Sequence, residues 1–404
     1  MGDYFQNGVI TTLPNLSDRP AAELAADLRT WGGDTPITLI IPSLYSELDG
    51  PALDRMVEII AGLDYLDQII IGLDQATATQ FERAKEFFAR LPQRHHVLWN
   101  DGPRLRAVHE RLAEAGLAPR EFGKGRNVWY CLGLFHASAI GGVVGCHDAD
   151  ILTYDASLPA RLFHPIAHPE HSYDFGKGYY FRATETTLNG RVTRLLITPL
   201  LRALRRVIGP NEFLDFVDSF RYPLAGEIAM TAEVAAAIRV PSNWGLEIGM
   251  LAEISQHVGP ERVYQVDIAD GYDHKHQSLS ADDADRGLHR MSADIAETVF
   301  RDLAIDGVLL APAAVQALQQ DYERLSLRAI DQYEAVARLN GLSFDRDYEL
   351  QAVKLFAQTL EQASGIFLDD PHDQPFSPSW GAVAEQMPEI LEAIAAAVTD
   401  DGKS

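Results

Sequence analysis

Residues 141–155, GGVVGCHDADILTYD, carry two carboxylates separated by a single residue, Asp148-Ala149-Asp150. The apolar residues just before them, Ala139, Ile140, Val143 and Val144, are flanked by glycines and read as a short buried strand. That strand delivers both aspartates to the mouth of a sheet. In extended backbone, side chains two positions apart point the same way, so Asp148 and Asp150 can face one ligand together. Hard oxygen donors of this kind suit a divalent cation, Mg2+ or Mn2+, with coordination positions left over for substrate phosphates. An isolated Asp-x-Asp is also a common solvated turn, so the metal reading stands or falls with the rest of the chain.

Four other places hold side chains that could take part. Gly123-Lys124-Gly125-Arg126 resembles a phosphate-approaching loop, with a mobile cation at the start of a helix, although the full Walker pattern is absent. Arg191, Arg194, Arg202, Arg205 and Arg206 form the main basic island, on an amphipathic stretch that follows an Asn189-Gly190 turn. Glu227 and Glu247 each follow a glycine closely, and a helix start would suit either carboxylate. His274 and His276 lie in YDHKHQ, beyond a strand expected over 263–268; imidazole is a common nitrogen ligand for borderline divalent metals.

These residues need a frame, and the order of elements supplies one. Helical spacing marks 21–31, 53–60, 79–91 and 104–115, while β-rich apolar runs mark 37–41, broken at Pro42, then 68–73 and the segment HHVLWND. Strands alternating with helices indicate a parallel α/β sheet whose ligands gather at the carboxyl ends of the strands. Pro42–Glu47 as a stretch, Asp74 and Asn100-Asp101 belong on that edge with the two aspartates. Residues 156–166 read as helix and 172–184 as strand. From Ser292 onward the chain reads as helical, with a loop at DDPHDQPFSPSW and a last helix over 387–398.

Composition narrows the function classes. The 404 residues, 47% hydrophobic, are enough for a large core. A formal charge of −24 argues against nucleic-acid and anionic-membrane partners and makes any anionic substrate depend on local basic islands. Only Cys131 and Cys146 are present, which excludes a disulfide framework and a Cys-x-x-Cys zinc site. No apolar run is long enough to span a bilayer and the N-terminus lacks signal-peptide features, so a cytoplasmic location is the expectation.

Taken in order, IPSLYSEL, GKGRNVWYC, GCHDADIL, NGRVTRLLITPLL, PLAGEIAM, NWGLEIGMLAEI and DHKHQ resemble the retaining, GT-A-fold glucosyl-3-phosphoglycerate synthase family, related to glucosylglycerate and mannosylglycerate-type synthases. The likeness runs from about residue 37 to residue 280. It implies an α/β fold in which a Rossmann-like, nucleotide-sugar-binding mixed sheet is flanked by helices, with a mainly helical C-terminal region. It divides the chain into a catalytic domain over 1–285, with a donor half near 35–155 and an acceptor half near 156–285, and a helical region over 286–404. It also implies a homodimer, a nucleotide-diphosphate glucose donor and 3-phosphoglycerate as acceptor.

Carried over by motif, the resemblance puts Pro42, Ser43, Leu44, Glu47 and Asp74 around the donor, with Lys124, Asp148 and Ala149. Asp148, Asp150 and His274 would hold the metal. Gly190, Arg191, Thr193 and His276 would bind the acceptor, and Asp150, Glu247 and Lys124 would carry catalysis. One departure is visible: where the family surrounds the ligand histidine with arginines, this chain has Tyr272 and Gln277. A desolvated phosphate dianion needs paired charge, so either Lys275, Lys177 or Arg194 substitutes, or the acceptor is unphosphorylated glycerate. A mannosyl donor is the other close rival. A nucleotidyltransferase would need a Gly-rich basic loop directly after the first strand, which IPSLYSEL lacks, and intact Asp148, Asp150 and His274 argue against a catalytically silent binding protein.

Overall fold

The computed structural model describes residues 6, 8–184, 186–269, 271–273, 287–371 and 376–403. In chain order the elements are β1 (Thr11–Leu13), α1 (Ala21–Trp31), β2 (Ile37–Leu44), α2 (Pro51–Ala61), β3 (Gln68–Asp74), α3 (Ala78–Phe88), β4 (Arg94–Trp99), α4 (Pro103–Glu114), α5 (Lys124–Ser138), β5 (Val143–Cys146), α6 (Ser157–Ala167) and β6 (Phe175–Tyr180). They continue with α7 (Thr198–Ile208), α8 (Glu212–Asp218), β7 (Ile228–Thr231), α9 (Ala232–Ala237), β8 (Val240–Pro241), α10 (Leu246–His257), β9 (Val263–Ala269), α11 (Gly287–Ile305), α12 (Pro312–Leu339), α13 (Arg346–Asp369), β10 (Phe376–Ser377), α14 (Trp380–Gln386) and α15 (Ile390–Lys403).

Eight strands form one sheet in the order β1-β9-β6-β7-β5-β2-β3-β4. Consecutive residues of β2 and β3 alternate between two cores: Ile40 and Ile70 belong to one, Leu39, Ile41, Ile69 and Ile71 to the other. Both faces are therefore covered, which is why these strands read as unbroken apolar runs rather than alternating ones. One face carries α1, α2, α3 and α6; the other carries α5, with α7 and the later helices stacked around it.

The N-terminal half is the parallel sheet that its strand-helix alternation predicts. Beyond β5 the alternation no longer holds: β7 runs antiparallel between β5 and β6, giving the mixed sheet that the resemblance implies. A strand delivered from α8 enters at the middle of the sheet rather than at its edge. Three further boundaries differ. β2 continues through Pro42 to Leu44: Ile40 and Pro42 point their backbone groups toward β5, which has already finished at Cys146 with the His147 amide donating to the Ile40 carbonyl at 3.0 Å, so the missing proline N–H faces no ladder partner. β5 begins only at Val143, since Ala139, Gly141 and Gly142 turn the chain with positive φ. The amphipathic stretch after Gly190 opens as a π-helical turn, Thr193–Ile197, before α7 proper.

Among the described residues no helix is long and apolar enough to cross a membrane. The C-terminal helices pack on the rest of the chain and on one another: α12 on α7, α13 on α11, and α15 on α5 and α4. Their anchor is a pair of indoles. Trp129 of α5 and Trp380 of α14 stack with ring centroids 4.1 Å apart; Trp380 Nε1 donates to the Trp129 carbonyl and Trp129 Nε1 to the Pro378 carbonyl, each at 2.7 Å. Gly133 makes the room, because a Cβ there would lie 2.3 Å from the Trp380 ring. Trp380→Ala is expected to lower the unfolding free energy by about 3–5 kcal/mol through the cavity and the lost hydrogen bond, measured by urea denaturation. A loss below about 1 kcal/mol would show that the indole is not the anchor.

Candidate functional site

The site begins where β5 ends. His147, fully buried, shares a 2.9 Å hydrogen bond between Nδ1 and the Tyr154 hydroxyl, and burial drives its pKa down to about 3, so it is a neutral strut under the two aspartates. Asp148 then faces the segment before β7, where only glycine fits: a Cβ on Gly226 would stand 2.6 Å from both Asp148 carboxylate oxygens. Burial, reinforced by the neighbouring charge of Asp148, raises Asp150 to about 7. Two carboxylates that resist sharing negative charge form a place where a cation is stabilised.

The first residue of α5 supplies one. Lys124 Nζ lies 2.6 Å from Asp148 Oδ1 and donates to Glu247 Oε1 at 2.9 Å. Burial opposes the ammonium charge, but Asp148 and Glu247 hold its pKa well above the usual lysine value. Glu247 comes from the first turn of α10. Three elements distant in sequence thus meet at one ammonium group. The following glycine serves packing instead of the expected phosphate approach: a Cβ on Gly125 would meet the Pro241 carbonyl at 2.0 Å. Arg126 likewise points inward, donating to Asp74 Oδ1 at 2.7 Å with Asp101 at 3.9 Å.

Around this centre the expected donor residues divide in two. Leu44 is exposed, and Glu47 adds its charge to the field at Asp150. Pro42, Ser43, Asp74 and Ala149 are buried beneath the surface, with the Ser43 hydroxyl donating to the Leu44 carbonyl and Asp74 held by Arg126. Trp244, 45% exposed, stands two residues before α10.

The structure also re-places residues that the sequence flagged and brings in one, Arg182, that sequence reasoning passed over. Glu227 leads into strand β7, not a helix start, and is wholly buried. It accepts hydrogen bonds from Tyr180 at 2.8 Å and Tyr272 at 2.7 Å, whose rings stack 3.7 Å apart. Tyr272, at a position where the resemblance implies a phosphate-binding arginine, is therefore spent on Glu227. Lys177 donates to the Ala225 carbonyl at 2.6 Å, and Arg194 is held by Glu349 of α13 and the Asn189 carbonyl. Neither is presented as a substitute cation. Arg182 is placed differently: its guanidinium lies over the Tyr272 ring and donates to the Tyr222 hydroxyl at 3.0 Å, while its buried Nε has no hydrogen-bond partner among the described residues. A Cβ on Gly190 would touch the Arg182 side chain at 3.1 Å. The signal available in the sequence was weak, a lone arginine after the aromatic strand β6.

Arg191 Nε donates to Glu349 Oε1 at 2.9 Å, with its guanidinium over the Tyr348 ring, and Thr193 is buried at the start of the π-helical turn. His274 and His276, with Lys275 and Gln277, lie outside the described residues. Asp273, immediately before them, is tied to the aspartate loop, since its carbonyl accepts from the Leu152 amide at 2.9 Å and its amide donates to Thr153 Oγ1 at 3.2 Å.

Among the described residues no group of three or more His, Cys, Asp and Glu side chains forms a complete metal cage. Asp148 and Asp150 nonetheless fit a hard divalent cation that takes its other ligands from a diphosphate, because their oxygens are the right donors and their crowding favours positive charge.

Lys177 offers a test of the charge balance. Burial pulls its pKa down to about 8, against Glu247 and Glu227, which favour the ammonium. Between about pH 8 and the unfolded value near 10.4 the unfolded chain holds a proton that the folded protein has released, so stability rises with pH across that window. Relative to Lys177→Met, the wild type should gain about 3 kcal/mol of unfolding free energy from pH 8 to pH 10.5, read from urea melts; a flat or falling difference contradicts the buried ammonium.

No family model matches the chain. It is similar to the glucosyl-3-phosphoglycerate synthase of Persephonella marina, 40% identical over 401 residues that cover 99% of each chain. It is also similar to the glucosyl-3-phosphoglycerate synthase of Methanococcoides burtonii, 35% identical over 406 residues, covering 99% of this chain and 98% of that one. Among solved structures, the Mycobacterium tuberculosis glucosyl-3-phosphoglycerate synthase in complex with Mn2+, uridine-diphosphate-glucose and phosphoglyceric acid aligns with a TM-score of 0.53 at 21% identity, covering 73% of this chain and 88% of that chain.

Proposed function

Because this chain belongs to the glucosyl-3-phosphoglycerate synthase family, we propose that it moves glucose from a nucleotide-diphosphate glucose to the 2-hydroxyl of 3-phosphoglycerate through the Lys124–Asp148–Glu247 centre. It is a glycosyltransferase of GT-A fold. The observation that carries the residue assignment is the single ammonium group of Lys124 joining Asp148 to Glu247.

Asp148 and Asp150, with His274, would hold Mg2+ or Mn2+ against the donor diphosphate, where the ion supplies Lewis-acid stabilisation of the leaving group. Lys124 reaches the same phosphates as a proton-bearing cation and offsets the charge that develops as the glycosidic bond breaks. Glu247, already hydrogen-bonded to Lys124, orients the glucose hydroxyls. Attack comes from the face the diphosphate leaves, and the departing phosphate oxygen takes the acceptor proton, so no protein nucleophile is needed. Leu44 and Glu47 meet the nucleoside directly, whereas Pro42, Ser43, Asp74 and Ala149 shape its floor.

On the acceptor side we assign Gly190, Arg191, Thr193 and His276, and add Arg182. Its guanidinium stands over Tyr272, and so returns a fork of positive charge to the place where Tyr272 removed one. This supports 3-phosphoglycerate over glycerate. We further assign the donor half to 35–155, the acceptor half to 156–285 and a helical region to 286–404, in a homodimer. Phosphorylated substrates do not cross bilayers unaided, which makes a cytoplasmic location part of the reading.

Turnover is measured with UDP-, GDP- and ADP-glucose, each paired with 3-phosphoglycerate and with glycerate, in Mg2+ or Mn2+. Asp150→Ala should lower turnover by at least about a hundredfold with an unchanged melting temperature; near-normal activity removes the metal assignment. Arg182→Gln should raise KM for 3-phosphoglycerate about tenfold or more with kcat largely kept. Activity with glycerate alone would show that Tyr272 and Gln277 mark a changed acceptor.

A further inference from the structure

A second concentration of positive charge lies away from the aspartates, in a groove of about 560 Å³ between α7, α8 and α12. Arg194, Arg202, Arg205, Arg206 and Arg328 line it, against one acidic lining residue, Asp218. Five of the chain's 34 lysine and arginine residues thus converge on one concavity of a protein with a net charge of −24. Such clustering is unfavourable unless something anionic repays it.

Local partners do not saturate these groups. Arg202 lies 3.6 Å from Asp218 and Arg206 3.9 Å from Asp321, both longer than a hydrogen bond, and Arg205 meets Asp215 at 2.8 Å. Arg202 is therefore only loosely paired with Asp218, and among the described residues Arg328 has no ion-pair partner. Leu201, Leu214 and Leu325 supply apolar walls, which focus the field of the guanidinium groups into the groove. The inner end is fixed: Arg194 is buried, held in a fork by Glu349 and seated over the Tyr333 ring. The volume falls in the range of sites for small metabolites rather than single ions.

We propose that this groove binds a small anion bearing one or more phosphate groups, with Arg202, Arg206 and Arg328 as its forked donors, while Arg194, neutralised by Glu349, closes its inner end. A guanidinium forks onto carboxylate or phosphate alike, but several converging from two helices are best matched by the three or more oxygens of a phosphate group, which chloride lacks altogether and a single carboxylate offers only two of. Arg194 at that end also donates to the Asn189 carbonyl beside Gly190, so the groove adjoins the segment assigned to the acceptor.

The test is isothermal titration of the full-length protein with inorganic phosphate and with inorganic diphosphate at low ionic strength, for wild type, the double variant Arg202→Gln/Arg328→Gln, and Asp150→Ala. Sedimentation of each protein is followed at the same concentration. Diphosphate should bind wild type and Asp150→Ala alike, and bind the double variant at least about tenfold more weakly, with sedimentation unchanged. Equal affinity in wild type and double variant overturns the proposal. So does a double variant that changes its association state while keeping diphosphate affinity, since the groove would then be a contact between two copies. Should the glutamine pair unfold, Arg202→Lys/Arg328→Lys takes its place: it keeps the charge but loses the fork, and undiminished diphosphate binding in that variant counts against the site.

Discussion

One ammonium group holds the candidate site together. Lys124 is the first residue of α5, and its Nζ reaches Asp148 at the end of β5 and Glu247 at the start of α10. A helix start would otherwise repel a lysine, because the unpaired N–H groups of the first turn already carry partial positive charge. Two carboxylates offset that cost here. Anything that moved α5 against the sheet would separate Lys124 from one partner and leave a buried negative charge uncompensated.

Much of the remaining structure keeps α5 where it is. Gly125 lets its first turn meet Pro241, Asn127 Nδ2 donates to the Gly72 carbonyl at 2.8 Å, and Trp129 is clamped by Trp380 from the C-terminal region. The C-terminal helices also reach the other half of the site, where Glu349 of α13 gathers Arg191 and Arg194. Between these supports, Gly226 and Glu227 connect Asp148 to the Tyr180–Tyr272 stack and on to Arg182. The residues proposed for the donor and the acceptor are thus joined by an unbroken run of contacts.

The sequence was most legible where one local signal decided the outcome. Helix α1 lies where its apolar spacing put it, and the aspartates sit at the end of a buried strand as Val143, Val144 and the flanking glycines implied. It was less legible where a residue's neighbour came from far along the chain. Pro42 reads as a break, yet β5 ends just short of it and the strand continues. Gly123-Lys124-Gly125-Arg126 reads as a phosphate-approaching loop, yet Gly125 is taken up by packing on Pro241 and Arg126 by Asp74. Lys177 and Arg194 read as spare cations, and both are committed to internal acceptors.

Residue types and their order determined the chemistry on offer: an Asp-x-Asp at a strand end, a lysine opening a helix, a glutamate after a Gly-Leu pair, and an α/β alternation that places them at one sheet edge. The tertiary structure alone decided which charges remain available. A carboxylate or guanidinium is equally polar in any sequence, but its worth in a site depends on whether another buried group has already neutralised it. That pairing is set by contacts between residues far apart in the chain, 158 positions in the case of Arg191 and Glu349. No local pattern carries such information, because desolvation and Coulomb attraction act through space and not along the backbone.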